Sequence, residues 1–327
     1  MEFATIAGTT LRASCIGLGT WAIGGASWGG TDEGEAIRTI YAALDKGINL
    51  IDTAPIYGFG RAEEIVGKAL ADSGRREQVI IATKVGLEWN ARQQIFRNSS
   101  PARIRREVED SLRRLRTDVI DLCQVHWPDP NTPMEKTAQA LSDLQRQGTV
   151  RAIGVSNYTI DRMDAFRRAA PLHTVQPPYN LFERQIEDDV LPYCRRHHLT
   201  TVTYGALCRG LLSGRMKPDT RFARDDIRRV DPKFQAPRYA QYLKAVDRLE
   251  NLAQERYDKH VIDLAVRWLL DQPDVGIALW GARRPDQLDA VDGAFGWTID
   301  AQTTRAVDTI LTEEIGAAIG PEFMAPP

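Results

Sequence analysis

Four polar side chains suited to proton transfer lie at the ends of three short apolar runs of the sequence. Asp52 and Tyr57 lie in and just after the second run of the chain, Lys84 lies in the third and His126 in the fourth. A phenol can donate a proton to a carbonyl oxygen, and an imidazole can hydrogen-bond and orient that oxygen. The set therefore predicts acid catalysis at a carbonyl group.

The phenol needs help from its neighbours, because an unperturbed pKa near ~10 makes it a poor acid at neutral pH. A nearby ammonium favours the phenolate and lowers that pKa. We expect Lys84 to act in this way on Tyr57, with Asp52 holding and neutralising Lys84. Each residue also has a structural alternative: Asp52 and Lys84 as an ion pair, Tyr57 as a core aromatic, His126 as a satisfied core histidine.

Eight short runs rich in apolar and β-branched residues recur along the chain, each followed by an amphipathic stretch. This alternation is typical of βαβ units, and catalytic groups of a closed parallel barrel lie at the C-terminal ends of its strands. We therefore predict one domain over residues 1–327, a single (β/α)8 TIM barrel with an N-terminal β-hairpin and extra C-terminal helices. The predicted strands are residues 14–19, 49–54, 79–85, 120–127, 150–157, 173–180, 200–205 and 275–281.

Helix starts and stops support this division. Asp32, Ser100 and Pro133 precede amphipathic stretches as helix-starting residues, and Gly47 and Gly148 follow the ends of two of them. Residues 214–238, rich in Arg, Asp and Pro, are the longest stretch without a regular pattern and are a candidate cover over the site.

Residues 47–58 read GINLIDTAPIYG, and Glu63 and Gly67 follow at fixed spacing. This segment resembles the signature of the aldo-keto reductases, and Lys84 and His126 fall where the catalytic tetrad of that family requires them. The resemblance extends from GLGTW at residues 17–21 to WGAR at residues 280–283. It is strongest to bacterial NADP-dependent members that include general-stress reductases and glycerol or glyceraldehyde dehydrogenases.

The resemblance implies an extended NADP(H) over the barrel mouth. No strand-to-helix GxGxxG motif is present, so a Rossmann site is not predicted. By resemblance, Ser156, Asn157 and Gln176 hold the nicotinamide carboxamide and Tyr204 stacks on the ring. The other cofactor contacts that it implies are Thr20, Trp21, Asp52, Gly205, Ala206, Leu207, Cys208, Gly210, Arg215, Gly281, Arg283 and Gln287.

Arginines near the predicted end of the cofactor site favour NADP over NAD. Residues 281–287 read GARRPDQ and are predicted to open a helix, where backbone N–H groups and Arg side chains suit a phosphate. A solvated helix N-terminus remains the alternative for Arg284. The family often continues with a Glu-Asn pair that contacts adenine, but this chain has Ala290 and Val291.

Aromatic residues after several strands predict the walls of a substrate pocket: Trp21, Trp89 and Trp127, around Tyr57 and His126. Phe59 and the C-terminal segment with Phe323 are candidates to close it. Without an evident cationic clamp, the pocket favours small neutral aldehydes and ketones, such as glyceraldehyde and aromatic aldehydes. Barrel packing is the alternative for each tryptophan.

The composition excludes several other classes. A formal net charge of −2 argues against nucleic-acid partners, and no run is long and apolar enough for a membrane helix or begins like a signal peptide. Cys15, Cys123, Cys194 and Cys208 are scattered, so neither a metal site nor a disulfide framework is predicted. We expect a cytoplasmic protein with a small-molecule substrate and no obligate protein partner.

Two other functions remain open from the sequence. One is an NADP-binding subunit that reports redox state to a partner, as channel β-subunits resemble. The other is a barrel isomerase or aldolase that forms a Schiff base at Lys84, although Tyr57 and His126 have no evident task there.

Overall fold

Twelve short strands alternate with helices in the computed structural model of the chain, which describes residues 1–327. Eight of the strands form the barrel and the other four form two hairpins. In chain order the strands are β1 (Phe3–Thr5), β2 (Arg12–Ser14), β3 (Ile16–Gly19), β4 (Leu50–Asp52), β5 (Ile80–Val85), β6 (Leu87–Trp89), β7 (Ile95–Arg97), β8 (Ile120–Val125), β9 (Val150–Ser156), β10 (Thr174–Gln176), β11 (Thr200–Thr203) and β12 (Ile277–Gly281).

The barrel closes through parallel pairing in the order β10-β11-β12-β3-β4-β5-β8-β9. Every one of the eight predicted runs contains a barrel strand, so the predicted fold is confirmed. The observed strands are shorter than the runs, and the runs that contain β4, β8 and β9 lose their last residues because Thr53, His126 and Asn157 belong to loops. The hairpin β1–β2 lies at the N-terminus, as predicted, and β6–β7 inserts after β5.

Nine α-helices surround the strands: α1 (Glu33–Asp45), α2 (Arg61–Ser73), α3 (Pro101–Leu115), α4 (Met134–Arg146), α5 (Ile160–Ala169), α6 (Val190–Arg196), α7 (Arg238–Tyr257), α8 (Val261–Leu270) and α9 (Ala301–Glu314). Helices α1, α3 and α4 begin where the sequence predicted. Asp32 caps α1, because its carboxylate accepts from the Glu35 N–H at 2.7 Å. No helix combines the length and continuous apolar surface needed to cross a bilayer.

The remaining helical turns are of the 3-10 type: Ala22–Gly24, Arg76–Gln78, Gln185–Glu187, Cys208–Ser213, Ile227–Arg229, Pro232–Phe234, Pro285–Ala294 and Glu322–Met324. The helix predicted after the last strand is therefore the 3-10 segment Pro285–Ala294. Its proline, three aspartates and glycine have low α-helical propensity, which agrees with this tighter, less regular form.

The stretch 214–238 is mostly irregular, as predicted, and holds two of these short turns. It reaches across to the loop after β3, where the Ile227 N–H donates to the Ser27 carbonyl at 2.9 Å. The Arg228 guanidinium lies 5.2 Å from the ring centre of Trp28 in the same loop. The loops after β3 and β11, two strands that both flank β12 in the barrel, are thus joined at its mouth.

Candidate active site

The four predicted catalytic residues come from neighbouring strands at one end of the barrel. Asp52 ends β4, Lys84 lies near the end of β5 and His126 directly follows β8. These three strands are consecutive in the barrel, and all are parallel. Their C-terminal ends therefore bring the side chains to one place.

Tyr57 is placed by the turn after β4. The Tyr57 N–H donates to the Ala54 carbonyl at 3.1 Å, and its own carbonyl accepts from the Ala62 N–H at 3.1 Å. A Cβ atom on Gly24 would lie 2.5 Å from the Tyr57 carbonyl carbon, and Gly58 has φ +66°. Glycine at both positions lets the loop after β3 pack directly on the backbone of Tyr57.

Lys84 and Asp52 form a buried ion pair. Lys84 Nζ donates to Asp52 Oδ1 at 2.6 Å and to the Thr53 carbonyl at 3.0 Å, and the Lys84 side chain is fully enclosed. Burial lowers the pKa of Lys84, although the charge of Asp52 opposes this effect. An enclosed ammonium bonded to a carboxylate is poorly placed to form a Schiff base, which argues against the aldolase alternative.

The Tyr57 ring lies between three partners of the predicted site. Its centre is 5.7 Å from that of His126 in an edge-on arrangement, 6.1 Å from that of Trp21 in a stacked one, and 5.1 Å from Lys84 Nζ. The proximity of the Tyr, Lys and His is as the sequence predicted. Tyr57 and His126 therefore lie side by side at the barrel mouth.

The expected direction of the Tyr57 pKa was wrong for the protein alone. Burial, with the negative charge of Asp52, raises the pKa of Tyr57 well above its usual value. Lys84 does not reverse this, because its charge is compensated by Asp52 at 2.6 Å. A phenol held protonated is nevertheless the form that a proton donor requires at the start of a reaction.

His126 is a neutral imidazole in this setting. Burial, and then the positive charge of Lys84, lower the pKa of His126 well below its usual value. A neutral ring keeps one N–H to donate and one nitrogen to accept. Its backbone is fixed, because the His126 N–H donates to the Val85 carbonyl at 2.9 Å and its carbonyl accepts from Asn157 Nδ2 at 3.0 Å.

The residues predicted to hold the nicotinamide carboxamide form a hydrogen-bonded chain that ends on Asp52. Gln176 Nε2 donates to Asp52 Oδ2 at 2.8 Å, and Ser156 Oγ donates to the Gln176 carbonyl at 2.8 Å. Asn157 Nδ2 donates to Ser156 Oγ at 3.0 Å, and Asn157 Oδ1 accepts from the Tyr204 hydroxyl at 3.0 Å. The structure therefore brings these four residues together beside the tetrad.

Thr20 hydrogen-bonds to the backbone of Asp52. Its hydroxyl donates to the Asp52 carbonyl at 2.9 Å, and its backbone N–H donates to the same oxygen at 3.0 Å. The Thr20 side chain is fully buried. These contacts fix the end of β4 against β3, and the predicted contact of Thr20 with the cofactor stays a prediction.

The loop after β11 carries most of the other predicted cofactor contacts: Gly205, Ala206, Leu207, Cys208 and Gly210. It turns tightly, with the Cys208 N–H donating to the Gly205 carbonyl at 2.7 Å and the Gly210 N–H to the Leu207 carbonyl at 2.8 Å. Burial raises the pKa of the enclosed Cys208 thiol to about 12. Any contact of Cys208 with a ligand would therefore involve its backbone.

Arginines of the loops after β11 and β12 lie close together at the barrel mouth. The Arg284 guanidinium binds both carboxylate oxygens of Asp286 at 3.0 and 3.1 Å, and Arg215 Nη1 lies 3.6 Å from the same carboxylate. Gln287 Oε1 accepts from the backbone N–H groups of Arg283 and Arg284 at 2.9 and 3.2 Å. Gly281 is exposed beside them.

Arg283 has a partner that the sequence did not predict. Its Nη1 donates to the Trp28 carbonyl at 2.5 Å and to the Gly30 carbonyl at 3.2 Å. It therefore fastens the loop after β3 to the loop after β12. Every residue has a backbone carbonyl, so the sequence does not show which carbonyl groups Arg283 binds.

The predicted aromatic walls are brought together in part. Trp21 contacts Tyr57, and its ring centre lies 5.3 Å from that of Trp28. Trp28 was not predicted from the sequence, although it lies between the glycines of the same loop as Trp21. Trp89 packs on Phe59 at 5.8 Å. Trp127 instead lies 5.7 Å from the Arg97 guanidinium, whose Nε binds the Pro326 carbonyl of the C-terminal segment at 2.9 Å.

Comparisons with known proteins agree with this geometry. The aldo/keto reductase family model matches residues 15–312. The chain is 58% identical over 327 residues to aldo-keto reductase YhdN of Bacillus subtilis, covering all of this chain and 98% of that protein. It is 38% identical over 296 residues to NADH-specific methylglyoxal reductase of Escherichia coli, covering 86% and 89% of the two chains.

The solved structure of glycerol dehydrogenase AKR11B4 from Gluconobacter oxydans is similar throughout, with 53% identity, a TM-score of 0.89 and 99% of each chain covered. The family match spans the barrel and all four residues of the tetrad. This chain therefore belongs to the aldo/keto reductase family, whose members are oxidoreductases that act on carbonyl and alcohol groups with a nicotinamide cofactor.

Proposed function

We propose that the protein reversibly reduces small neutral aldehydes and ketones with NADP(H), and that Tyr57 is the general acid. The observation that carries the proposal is the convergence of Tyr57 and His126 at the barrel mouth, with ring centres 5.7 Å apart. Burial raises the pKa of Tyr57 and lowers the pKa of His126, which favours a protonated phenol beside a neutral imidazole. His126 donates a hydrogen bond to the carbonyl oxygen of the substrate. Tyr57 then transfers its proton to that oxygen.

The free acceptors beside the tetrad fit a nicotinamide carboxamide. Gln176 uses Nε2 for Asp52, and its Oε1 accepts no hydrogen bond from the protein. Asn157 Oδ1 accepts only from Tyr204 and keeps a second lone pair. Both oxygens suit the NH₂ group of the carboxamide. When bound, the reduced nicotinamide supplies the hydride that adds to the carbonyl carbon.

Lys84 and Asp52 give the proton transfer its electrostatic setting. As Tyr57 loses its proton, negative charge develops on the phenolic oxygen. Lys84 Nζ, 5.1 Å from the ring centre, reduces the cost of that charge, although it does not bring the pKa of Tyr57 below its usual value in the protein without ligands. Asp52 keeps Lys84 in place and charged before the reaction. In the reverse direction the same phenolate accepts the proton of an alcohol.

Two arginines near the predicted phosphate-binding part of the cofactor site support NADP rather than NAD. Arg215 and Arg284 approach one exposed carboxylate, Asp286, and a phosphate of higher charge can replace that carboxylate as their partner. The aromatic walls at Trp21 and Trp28 favour neutral substrates such as glyceraldehyde and aromatic aldehydes.

Titration of the purified protein with NADPH and with NADH tests the proposal, followed by turnover of DL-glyceraldehyde and benzaldehyde with the reduced cofactor and of glycerol with NADP+. We expect tighter binding of NADPH and consumption of NADPH with the aldehydes. Tight binding without turnover on any carbonyl would instead favour the redox-sensing alternative. Absence of binding would contradict both functions.

A further inference from the structure

Four buried charged side chains lie in and against the loop that follows β11. Glu183, Asp231 and Lys233 are wholly enclosed, and Arg209 is 8% exposed. Two acids and two bases make this group, which we name the buried quartet, formally neutral. None of the four belongs to the tetrad or to the predicted cofactor contacts.

The quartet is connected by hydrogen bonds. Glu183 Oε1 accepts from Arg209 Nη2 at 2.5 Å and lies 2.8 Å from Lys233 Nζ. Asp231 Oδ2 accepts from Arg209 Nε at 2.5 Å. Although burial alone would raise it, the pKa of Glu183 is lowered by the charges of Arg209 and Lys233. Each charge is thus compensated inside the protein, where an isolated one is costly.

The quartet joins three segments at the barrel mouth. Glu183 belongs to the loop after β10, Arg209 lies early in the loop after β11, and Asp231 and Lys233 lie later in that same loop, within residues 214–238. Lys233 Nζ also donates to the Gly320 carbonyl at 3.3 Å, and the Arg209 guanidinium lies 5.7 Å from the ring centre of Phe323. The C-terminal segment is therefore held by the same charges.

The backbone that the quartet holds is unusual. Cys208, Arg209 and Gly210 have φ values of +45°, +55° and +94°, in succession. Non-glycine residues adopt positive φ at a cost, and such a conformation persists only where surrounding contacts enforce it. Arg209 is bonded on two sides by carboxylates, so its side chain supplies that enforcement.

We infer that the buried quartet positions the loop after β11 for cofactor binding and ties its shape to the C-terminal segment, without any of its side chains touching the cofactor. This inference rests on the proposed function only where it names the cofactor. The four side chains are positioning residues. Breaking their charge balance releases the loop and weakens NADPH binding, while the chemical step on bound cofactor remains.

Lys233→Met tests the inference, because it removes one positive charge and leaves Arg209 facing two carboxylates. We expect the Kd for NADPH to rise roughly tenfold or more and kcat at saturating NADPH to stay within about twofold. The double variant Lys233→Met with Asp231→Asn is neutral again. We expect it to recover most of the lost affinity. Lys244→Met, which removes an exposed lysine bonded to Glu314 at 2.9 Å, is the matched control and should bind as the wild type does.

Hydrogen exchange of the cofactor-free proteins gives a readout that does not depend on the cofactor. Amides of residues 207–212 should exchange faster in Lys233→Met than in the wild type and return toward the wild-type rate in the double variant. If Lys233→Met does not fold, the neutral double variant against Asp231→Asn alone provides the same comparison. Unchanged exchange and affinity in a folded unbalanced variant, or equal losses in the unbalanced and neutral variants, would overturn the inference. A wild type that binds no NADPH would contradict the proposed function alone.

Discussion

Gln176 donates a hydrogen bond from Nε2 to Oδ2 of Asp52 over 2.8 Å, which joins the predicted cofactor residues to the Asp52–Lys84 ion pair. The other carboxylate oxygen of Asp52 holds Lys84 at 2.6 Å. One buried carboxylate is therefore shared between the group that would bind the carboxamide and the group that would stabilise the Tyr57 phenolate.

Replacing Gln176 should affect cofactor binding and the chemical step together. In Gln176→Ala the carboxamide loses an acceptor and Asp52 Oδ2 loses its donor, each a buried polar loss of about 1–3 kcal/mol. We expect a Kd for NADPH raised roughly tenfold and a lowered kcat. Cofactor titration and steady-state kinetics check this result. A variant with unchanged Kd would show that Gln176 does not hold the cofactor.

The Asp52–Lys84 ion pair should show strong coupling in stability. Asp52→Asn leaves a buried ammonium without its counter-charge and should lower the free energy of unfolding by about 3–5 kcal/mol. Asp52→Asn with Lys84→Met removes both charges and should be destabilised by less than the sum of the single variants. Denaturant unfolding of the three variants measures the coupling. Additive losses would mean that the two charges do not depend on each other.

Arg283 and Arg284 should differ in their effect on cofactor choice. Arg283 binds the carbonyls of Trp28 and Gly30, so Arg283→Met loosens the loop after β3 and should weaken NADPH and NADH alike. Arg284 holds only an exposed carboxylate, so Arg284→Met should weaken NADPH selectively. Titration of both variants with both cofactors separates the roles. The reverse pattern would place the phosphate on Arg283.

A buried carboxyl group outside the site predicts a pH dependence of stability. Burial raises the pKa of Glu107 to about 8, despite the neighbouring Arg103 and the Gly86 N–H that donates to Glu107 Oε2 at 2.8 Å. Between pH 4.5, the usual pKa of a glutamate side chain, and about pH 8, the Glu107 carboxyl group is protonated in the folded protein and ionised in the unfolded chain. Stability from this group is thus largest at low pH and falls as pH rises through that window.

The variant Glu107→Gln should remove this contribution. Relative to it, the wild type should lose up to about 1.4 kcal/mol of unfolding free energy per pH unit between about pH 5 and pH 8. Unfolding curves for both proteins at several pH values provide the measurement. Parallel pH profiles would show that Glu107 is already ionised in the folded protein.

The barrel, and the convergence of the four residues predicted as the tetrad, could be predicted because both leave local marks in the sequence. Each strand is a short apolar run, and Asp52, Lys84 and His126 lie at the ends of such runs. Parallel strands place their ends together, so the position along a run was enough to bring the side chains to one site. Tyr57 lies near His126 because the ends of the parallel strands meet and the turn after β4 places Tyr57 beside them.

Contacts between distant loops could not be predicted in the same way. Glu183, Arg209 and Lys233 are far apart in the chain, and charged residues are usually exposed. Arg283 is bound to carbonyl oxygens, which every residue has. The raised pKa of Tyr57 was missed because the sequence shows neither how deeply the phenol is buried nor how completely Asp52 compensates the charge of Lys84.

Single-turnover reduction of glyceraldehyde by NADPH bound in advance to wild type and Tyr57→Phe tests the central claim most directly. The account predicts that Tyr57→Phe binds NADPH as the wild type does, while the rate of NADPH oxidation falls by at least about 100-fold, because the proton donor is missing. Equal oxidation rates in the two proteins would contradict the assignment of Tyr57 as the general acid.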